Sequence, residues 1–400
     1  MNIIYFGKII EKNFFEEVKS NKKPYFVAQY RFEEELISQF NNLDINFTIN
    51  SIYQLETFPK DKFLFFRKGL YNYLGYINLP FLKELCYFVG TIISILKELK
   101  KDDSIIFLAT HYVPVSAGVI FISKILNIPV VLTITDLSSF SYSKSKKEKV
   151  RGLKKLIFNR YGKFAETLQN KFDSYVFFSE KMKDVIDVSN KDYLVIEGLF
   201  NPEGLDIEFE EKKRNAITYA GTLDRLYGIE TIIETFLQLQ NKNLDLWLIG
   251  KGDYEDEILK IADKHPNVKY LGFLQREEVF KLLKQSKLLL NLRDNKESYT
   301  KYSFPSKMFE YMVSGTPVFT TRLEGIPSEY YNYIYSTDSN DINSYIKEIN
   351  NILDLSEEVM LKKGHSAKAF ILNMKSSNKS VIEINKLLLR TIERKENNIK

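Results

Sequence analysis

The chain of 400 residues is 44% hydrophobic and 14% aromatic, more than one core usually organises, which predicts two domains of about 150 to 200 residues each. Its single cysteine, Cys86, excludes an intrachain disulfide and fits a reducing compartment, where a buried, inert thiol is expected. The net charge of +5 is uneven: residues 1–200 hold 28 Lys and Arg against 22 Asp and Glu, the remainder 29 against 30.

The opening MNIIYFGKII places no basic segment ahead of an apolar one, so no secretory signal is expected and the chain is assigned to the cytosol. Residues 3–6 read as a buried strand. Residues 60–76 form an apolar and basic patch with Phe63, Phe65, Phe66, Arg67 and Lys68. Residues 104–137 are the most apolar stretch, but Pro114, Gly118, Lys124 and Pro129 break it into strand, helix and strand rather than a membrane span. Between Lys144 and Lys163 lie nine basic residues opposed only by Glu148. Leu153, Leu156, Ile157, Phe164 and Leu168 recur there at helical spacing, with Lys154, Lys155, Arg160 and Lys163 away from them. That predicts a basic amphipathic helix suited to the anionic inner leaflet of a membrane, or else a solvated basic face over an ordinary core stripe.

Strand-length apolar runs at 3–6, 104–109, 130–134 and 175–178 alternate with amphipathic helices. They predict a doubly wound α/β domain over residues 1–200. Residues 198–215, with Pro202, Gly204 and mixed charge, read as an interdomain link. A second series at 216–219, 244–249, 268–271, 288–292 and 318–320 predicts a similar domain over 201–375. From Ser376 a helical pattern predicts a terminal helix, 376–400, packing back on the first domain.

The segment YSFPSKMFEYM, Tyr302 to Met312, begins a short helix, with Pro305 and Ser306 as start residues and Gly315 and Pro317 ending it. A lysine at its amino end conflicts with the helix dipole. On a helical wheel Ser306, Lys307, Glu310 and Ser314 share a polar stripe opposite Met308, Phe309, Met312 and Val313. A phosphate on the free amides would make Lys307 a second partner for the anion, with Glu310 accepting from ligand hydroxyls. The plainer alternative is an exposed Lys307–Glu310 pair contributing little. Small-residue turns at Gly221-Thr222 and Gly250-Lys251-Gly252, each at a strand's carboxyl end, add weight to a nucleotide diphosphate.

Residues 216–330 resemble the donor-binding domain of GT-B glycosyltransferases, particularly the large retaining family four. The likeness rests on AITYAGTLDRLYGIETIIETF, LWLIGKGDYEDEILKIADKHPNVKYLGFL and YTKYSFPSKMFEYMVSGTPVFTT. The bacterial capsular and exopolysaccharide branch is most similar, sharing the FPSK-x-FEYM-x-SG-x-P segment and the following Leu323-Glu324-Gly325-Ile326-Pro327. The resemblance implies two Rossmann-like domains facing each other across a cleft, the first binding acceptor and the second a nucleotide-sugar donor. It further implies a hexosyltransferase that retains configuration and needs no metal or other cofactor. The acceptor implied is a lipid-linked saccharide in surface polysaccharide synthesis.

In that family two glutamates separated by seven residues hold the donor. Glu310 matches the second, on the ribose, whereas Tyr302 stands at the first, so the sugar contact is assigned to Tyr302, Ser303 or backbone amides of Phe304 to Ser306. The family's diphosphate-clamping arginine and lysine align with Thr222 and Tyr227, leaving Arg225 and Lys307 as replacements. Residues 269–274, including Gly272 and Phe273, are expected to present backbone to the nucleobase. In the first half, Phe107 to His111 and the strand ending at Thr135-Asp136 resemble the acceptor-facing strand ends. Asp136 and His111, with Lys307, are therefore the catalytic candidates, although Asp136 also suits a helix cap and His111 a satisfied strand-end histidine. The family's glycine-rich loop after the first strand is replaced by Lys22-Lys23-Pro24-Tyr25-Phe26-Val27-Ala28-Gln29.

No His, Cys or Asp cluster has metal-ligand spacing, since His111, His265 and His365 are far apart. No nucleic-acid motif is present, so no nucleic-acid partner is expected. The expected location is cytoplasmic, peripheral to the inner face of the membrane. Two other readings stay open: a non-catalytic partner subunit, suggested by Tyr302, Thr222 and Tyr227, and a GT-B-fold nucleotide-sugar 2-epimerase.

Overall fold

A computed structural model describes residues 1–20, 27–43, 45–99, 104–135, 137, 152–206, 208, 213–239, 241 and 243–397. They form two compact units, Met1–Leu199 with Ser377–Lys400, and Phe200–Ser376.

In the first unit the strands are β1 (Asn2–Gly7), β2 (Asn46–Ser51), β3 (Leu64–Phe65), β4 (Asn72–Tyr73), β5 (Tyr76–Ile77), β6 (Ser104–Leu108), β7 (Val130–Ile134), β8 (Ser174–Phe177) and β9 (Asp192–Val195). A parallel sheet runs β4-β2-β1-β6-β7-β8-β9, and β3 pairs with β5 in a separate antiparallel hairpin. The helices are α1 (Lys12–Ser20), α2 (Val27–Asn42), α3 (Leu82–Glu98), α4 (Val113–Leu126) and α5 (Leu153–Gln169). The runs SIIFL and VVLTI of β6 and β7 are buried throughout, as parallel strands covered on both faces require. Between them α4 carries a proline in its first turn and ends at Asn127 in the left-handed conformation, φ 53°.

In the second unit β10 (Ala216–Ala220), α6 (Ile229–Gln238), β11 (Asp245–Ile249), α7 (Glu255–Lys264), β12 (Val268–Gly272), α8 (Arg276–Gln285) and β13 (Leu288–Asn291) follow in alternation. They are succeeded by α9 (Lys307–Val313), β14 (Val318–Thr321), β15 (Tyr335–Thr337), α10 (Ile342–Leu353) and α11 (Glu357–Met374). Its sheet, β12-β11-β10-β13-β14-β15, is parallel throughout. The final helix α12 (Ser377–Asn397) belongs to the first unit, where Thr391 Oγ1 donates to Ser174 Oγ at 2.8 Å and Lys395 pairs with Asp173 at 2.9 Å.

Three local expectations change. Cys86 is half-buried, because α3 turns it toward the edge of the core. Phe164 is 51% exposed rather than sharing the buried side of Leu168, since α5 turns Ala165 and Leu168 inward instead. The strands β2, β4, β9 and β15 were not expected: β2, β4 and β15 are too polar to form an apolar run, and β9, DYLV, is only partly buried. Of the basic segment, residues 144–151 lie outside the described residues, while Arg160 and Lys163 are exposed on α5. No helix among the described residues is long and apolar enough to cross a membrane.

Candidate active site

Ligands of open parallel sheets sit beyond the carboxyl ends of strands where the strand order reverses. In the second unit that reversal lies between β10 and β13. Beyond β10, the amide of Gly221 donates to Ile249 O at 2.9 Å and that of Leu223 to Lys251 O at 2.9 Å. Gly250 in turn donates to Gly272 O at 2.9 Å. With φ 139° and a methyl position only 1.9 Å from Gly221 O, residue 250 has to be glycine. The turns after β10, β11 and β12 thus stack closely along one edge. Gly228, at φ 81°, closes the first turn onto β13, since a methyl there would lie 1.9 Å from Leu292 O.

The segment YSFPSKMFEYM meets the same edge. Helix α9 starts at Lys307 after Ser306, and Met308, Phe309, Met312 and Val313 enter the core. The Tyr311 hydroxyl accepts from the Ala220 amide at 2.7 Å and donates to Ala220 O at 3.1 Å, fastening α9 to the end of β10. The Gly325 amide donates to Thr300 O at 3.1 Å, which ties the following LEGIP turn to the approach of α9.

Lys307 Nζ reaches Glu310 Oε2 at 2.6 Å, and Arg276 Nε, at the start of α8, reaches Glu310 Oε1 at 3.3 Å. Arg276 also donates to Asn201 O at 2.7 Å and lies 5.5 Å from the Phe200 ring centroid. Glu310 is only 8% exposed, so it is not the solvent-facing member of a surface pair but the buried bridge between two cations. The ammonium at the helix start is balanced within the protein by this carboxylate.

Other donor-side candidates are placed as follows. Arg225 pairs with Glu230 at 3.3 Å and lies 5.2 Å from the Tyr254 ring centroid. Thr222 is exposed, and its carbonyl accepts from Tyr219 Oη at 2.8 Å. Gly272 turns the chain at φ 73°, leaving Phe273 62% exposed with Lys251 Nζ at 5.4 Å from its ring centroid. Tyr302 and Ser303 are half-buried and Ser306 is exposed. Phe304 packs against Phe309 at 5.1 Å and Tyr330 at 5.2 Å, so its ring serves the core.

One cation escaped the sequence reading. Arg293 lies two residues past the end of β13 at the reversal point, with its guanidinium 4.9 Å from the Tyr227 ring centroid. Its Nε is shielded from solvent and has no hydrogen-bond partner among the described residues. The only signal was position: it is the first charge after the buried run LLLNL.

In the first unit, His111 lies just past β6, its Nδ1 3.0 Å from Ser116 Oγ. Burial pushes its pKa down to about 4, opposed by a contact with the Ala165 backbone, so the ring is neutral near pH 7. Asp136 lies outside the described residues, as does most of 22–29. Within the described part, Gln29 donates to Ala109 O at 3.1 Å and to Glu33 Oε1 at 2.7 Å. Glu33, missed by the sequence reading, fills the turn after β1. It accepts from Tyr5 Oη at 2.8 Å and from the amides of Lys8 and Ile9 at 3.0 and 3.1 Å. Burial raises its pKa against these hydrogen bonds. Among the described residues no His, Cys, Asp or Glu cluster could hold a metal.

Residues 203–368 match the family model described as glycosyl transferases group 1. The fold is similar to that of Anabaena HepE in complex with UDP, with 15% identity, TM-score 0.64, and coverage of 98% of this chain and 100% of that one. It is also similar to sucrose-phosphate synthase from Thermosynechococcus elongatus (13% identity, TM-score 0.61, coverage 98% and 100%). A third likeness is to the lipopolysaccharide outer core galactosyltransferase WaaB (13% identity, TM-score 0.62, coverage 98% and 99%). No curated protein sequence matches the chain. Two Rossmann-like units, and the likeness of the whole chain to these solved structures, make the fold GT-B.

Proposed function

We propose that this GT-B glycosyltransferase seats a nucleotide diphosphate sugar at the carboxyl edge of the second unit's sheet and transfers the hexose, with retention, to a lipid-linked saccharide in bacterial surface polysaccharide synthesis. The donor half rests on one observation, the paired Tyr311–Ala220 hydrogen bonds, which put Lys307, Glu310 and the stacked glycine turns on one edge of one sheet. The UDP in the HepE complex makes a UDP-sugar the first donor to test.

Charge develops on the departing diphosphate, and Lys307 with the backbone amides leading into α9 is assigned to stabilise it, so that no metal is required. Glu310, held on the same edge by Arg276 and Lys307, is assigned to the ribose hydroxyls, which a carboxylate accepts from. Tyr302 and Ser303 are assigned to the sugar, and Gly272 with Phe273 to the base. On the first unit, Asp136 is assigned to the acceptor hydroxyl and neutral His111 to shaping that strand end. The enzyme works at the inner membrane face.

Because Glu310 is buried between two cations, Glu310→Gln is a better probe than alanine. It keeps shape and acceptor capacity on one atom while removing the charge. Donor affinity, measured by titration of UDP-sugars, GDP-sugars and dTDP-sugars, should fall about tenfold, the worth of one charge-assisted bond. Unchanged affinity in a folded variant overturns the ribose assignment. Nucleoside diphosphate release with net transfer supports the enzyme, whereas tight binding without turnover supports the partner-subunit reading. Lys307→Ala should depress turnover more than Asp136→Asn if leaving-group stabilisation dominates.

A further inference from the structure

The two cations that sequence spacing nominates for the diphosphate each share their charge with a carboxylate of the protein. Arg225 holds Glu230 at 3.3 Å and Lys307 holds Glu310 at 2.6 Å. Arg293 differs from both. No described residue accepts a hydrogen bond from its guanidinium or forms an ion pair with it. The adjacent carboxylate, Asp294, is turned to the Lys296 amide at 2.8 Å and to Asn340 Nδ2 at 2.7 Å.

The aromatic surroundings supply no counter-charge. Tyr227 and Tyr299 meet edge to face, with ring centroids 6.4 Å apart, beside the guanidinium. Burial pushes the Tyr299 phenol up to about 12 and Tyr219 higher still, so both are neutral. A guanidinium stays charged at any pH the fold survives and carries five donors. Leaving such a group partly buried without an acceptor costs free energy, and an arriving anion removes that cost. Its place adds the second argument. Arg293 follows β13 where the strand order reverses, and the turn after β10 is closed against the neighbouring Leu292 carbonyl through Gly228.

We infer that Arg293 grips the diphosphate of the donor by a forked pair of hydrogen bonds, in place of any charge at Thr222 or Tyr227. The inference rests on the nucleotide-sugar reading. Tyr227 then acts as a platform that holds the guanidinium plane in position.

The test is calorimetric titration of UDP, GDP and dTDP into the wild type, Arg293→Ala and Arg293→Lys, with the matching nucleoside measured by equilibrium dialysis and melting recorded for each protein. Arg293→Ala should lose about 30-fold or more of its diphosphate affinity while nucleoside affinity holds, as expected for removal of a forked charged contact. Arg293→Lys keeps charge and bulk, stays folded, and should lose about tenfold because a point charge cannot reproduce the fork. If the wild type binds one nucleoside diphosphate and both variants keep the same preference for it over its nucleoside, the role of Arg293 is overturned and the donor reading stands. If the wild type binds none of the three, the donor reading itself falls.

Discussion

At the scale of single residues, burial rather than motif decides what each charged group does. On a helical wheel Glu310 shares a polar stripe with Lys307, and the fold makes it a buried bridge because Arg276 reaches it from a different helix. Spacing along a chain reveals an i,i+3 partner and hides a partner that the fold delivers from elsewhere. Arg293 and Glu33 were invisible for the same reason: their significance lies in which neighbours are missing or present around them in three dimensions. His111 supports a pH prediction. Its native pKa of about 4 lies below the ordinary 6.5, so it stabilises the folded state fully above 6.5 and loses that contribution as pH falls toward 4. The displacement corresponds to up to about 3 kcal/mol. Melting of the protein between pH 7 and 4 should therefore drop more steeply for the wild type than for His111→Asn, and parallel curves would show that the ring is not held neutral.

At the scale of elements, the sequence was most readable where packing is two-sided. The buried runs of β1, β6, β7, β10, β11 and β13 carry a single Asn, Ser, Thr or Asp each, because parallel strands covered on both faces tolerate few polar residues. The strand NFTINS of β2 is half polar and only partly buried, so periodicity had nothing to detect. Glycine turns were readable in position but not in their stacking, which depends on hydrogen bonds between turns more than twenty residues apart. The joint between α9 and β10 is equally tertiary, and it is testable. Tyr311→Phe removes only the hydroxyl and leaves a buried amide and carbonyl of Ala220 without that partner. The loss should be about 1 to 3 kcal/mol. Chemical unfolding followed at Trp247 on β11 should report it, together with weaker donor binding as the turn after β10 loosens. An unchanged unfolding midpoint would show that α9 is held to the sheet by its apolar side chains alone.

At the scale of the whole molecule, the chain builds one Rossmann-like unit, then a second, and returns α12 to the first. The basic excess of the first 200 residues has a structural counterpart there. Helix α3 buries Lys83, Tyr87, Thr91 and Ile95 on one side, while Leu82, Leu85, Val89, Ile93 and Leu96 on the other remain two-fifths or more exposed. Their steps of three and four residues define a single stripe along the helix. The nearby hairpin segment adds exposed Phe63, Leu64, Phe66 and Leu70, interspersed with exposed Lys60, Lys62 and Lys68. Apolar tips among lysines suit the interface of an anionic bilayer, where each cation contributes about 1 kcal/mol and the aliphatic stripe on the order of 5 kcal/mol more. This surface extends the membrane proposal beyond the basic segment that suggested it. Co-sedimentation with phosphatidylglycerol vesicles should carry the wild type into the pellet at low salt and release part of it at high salt. Replacing Leu85, Val89 and Ile93 together by Gln should leave the protein folded, since these side chains are exposed, and should abolish pelleting even at low salt. A triple variant that sediments like the wild type would exclude α3 from the contact, and a wild type that stays in the supernatant would exclude the contact altogether.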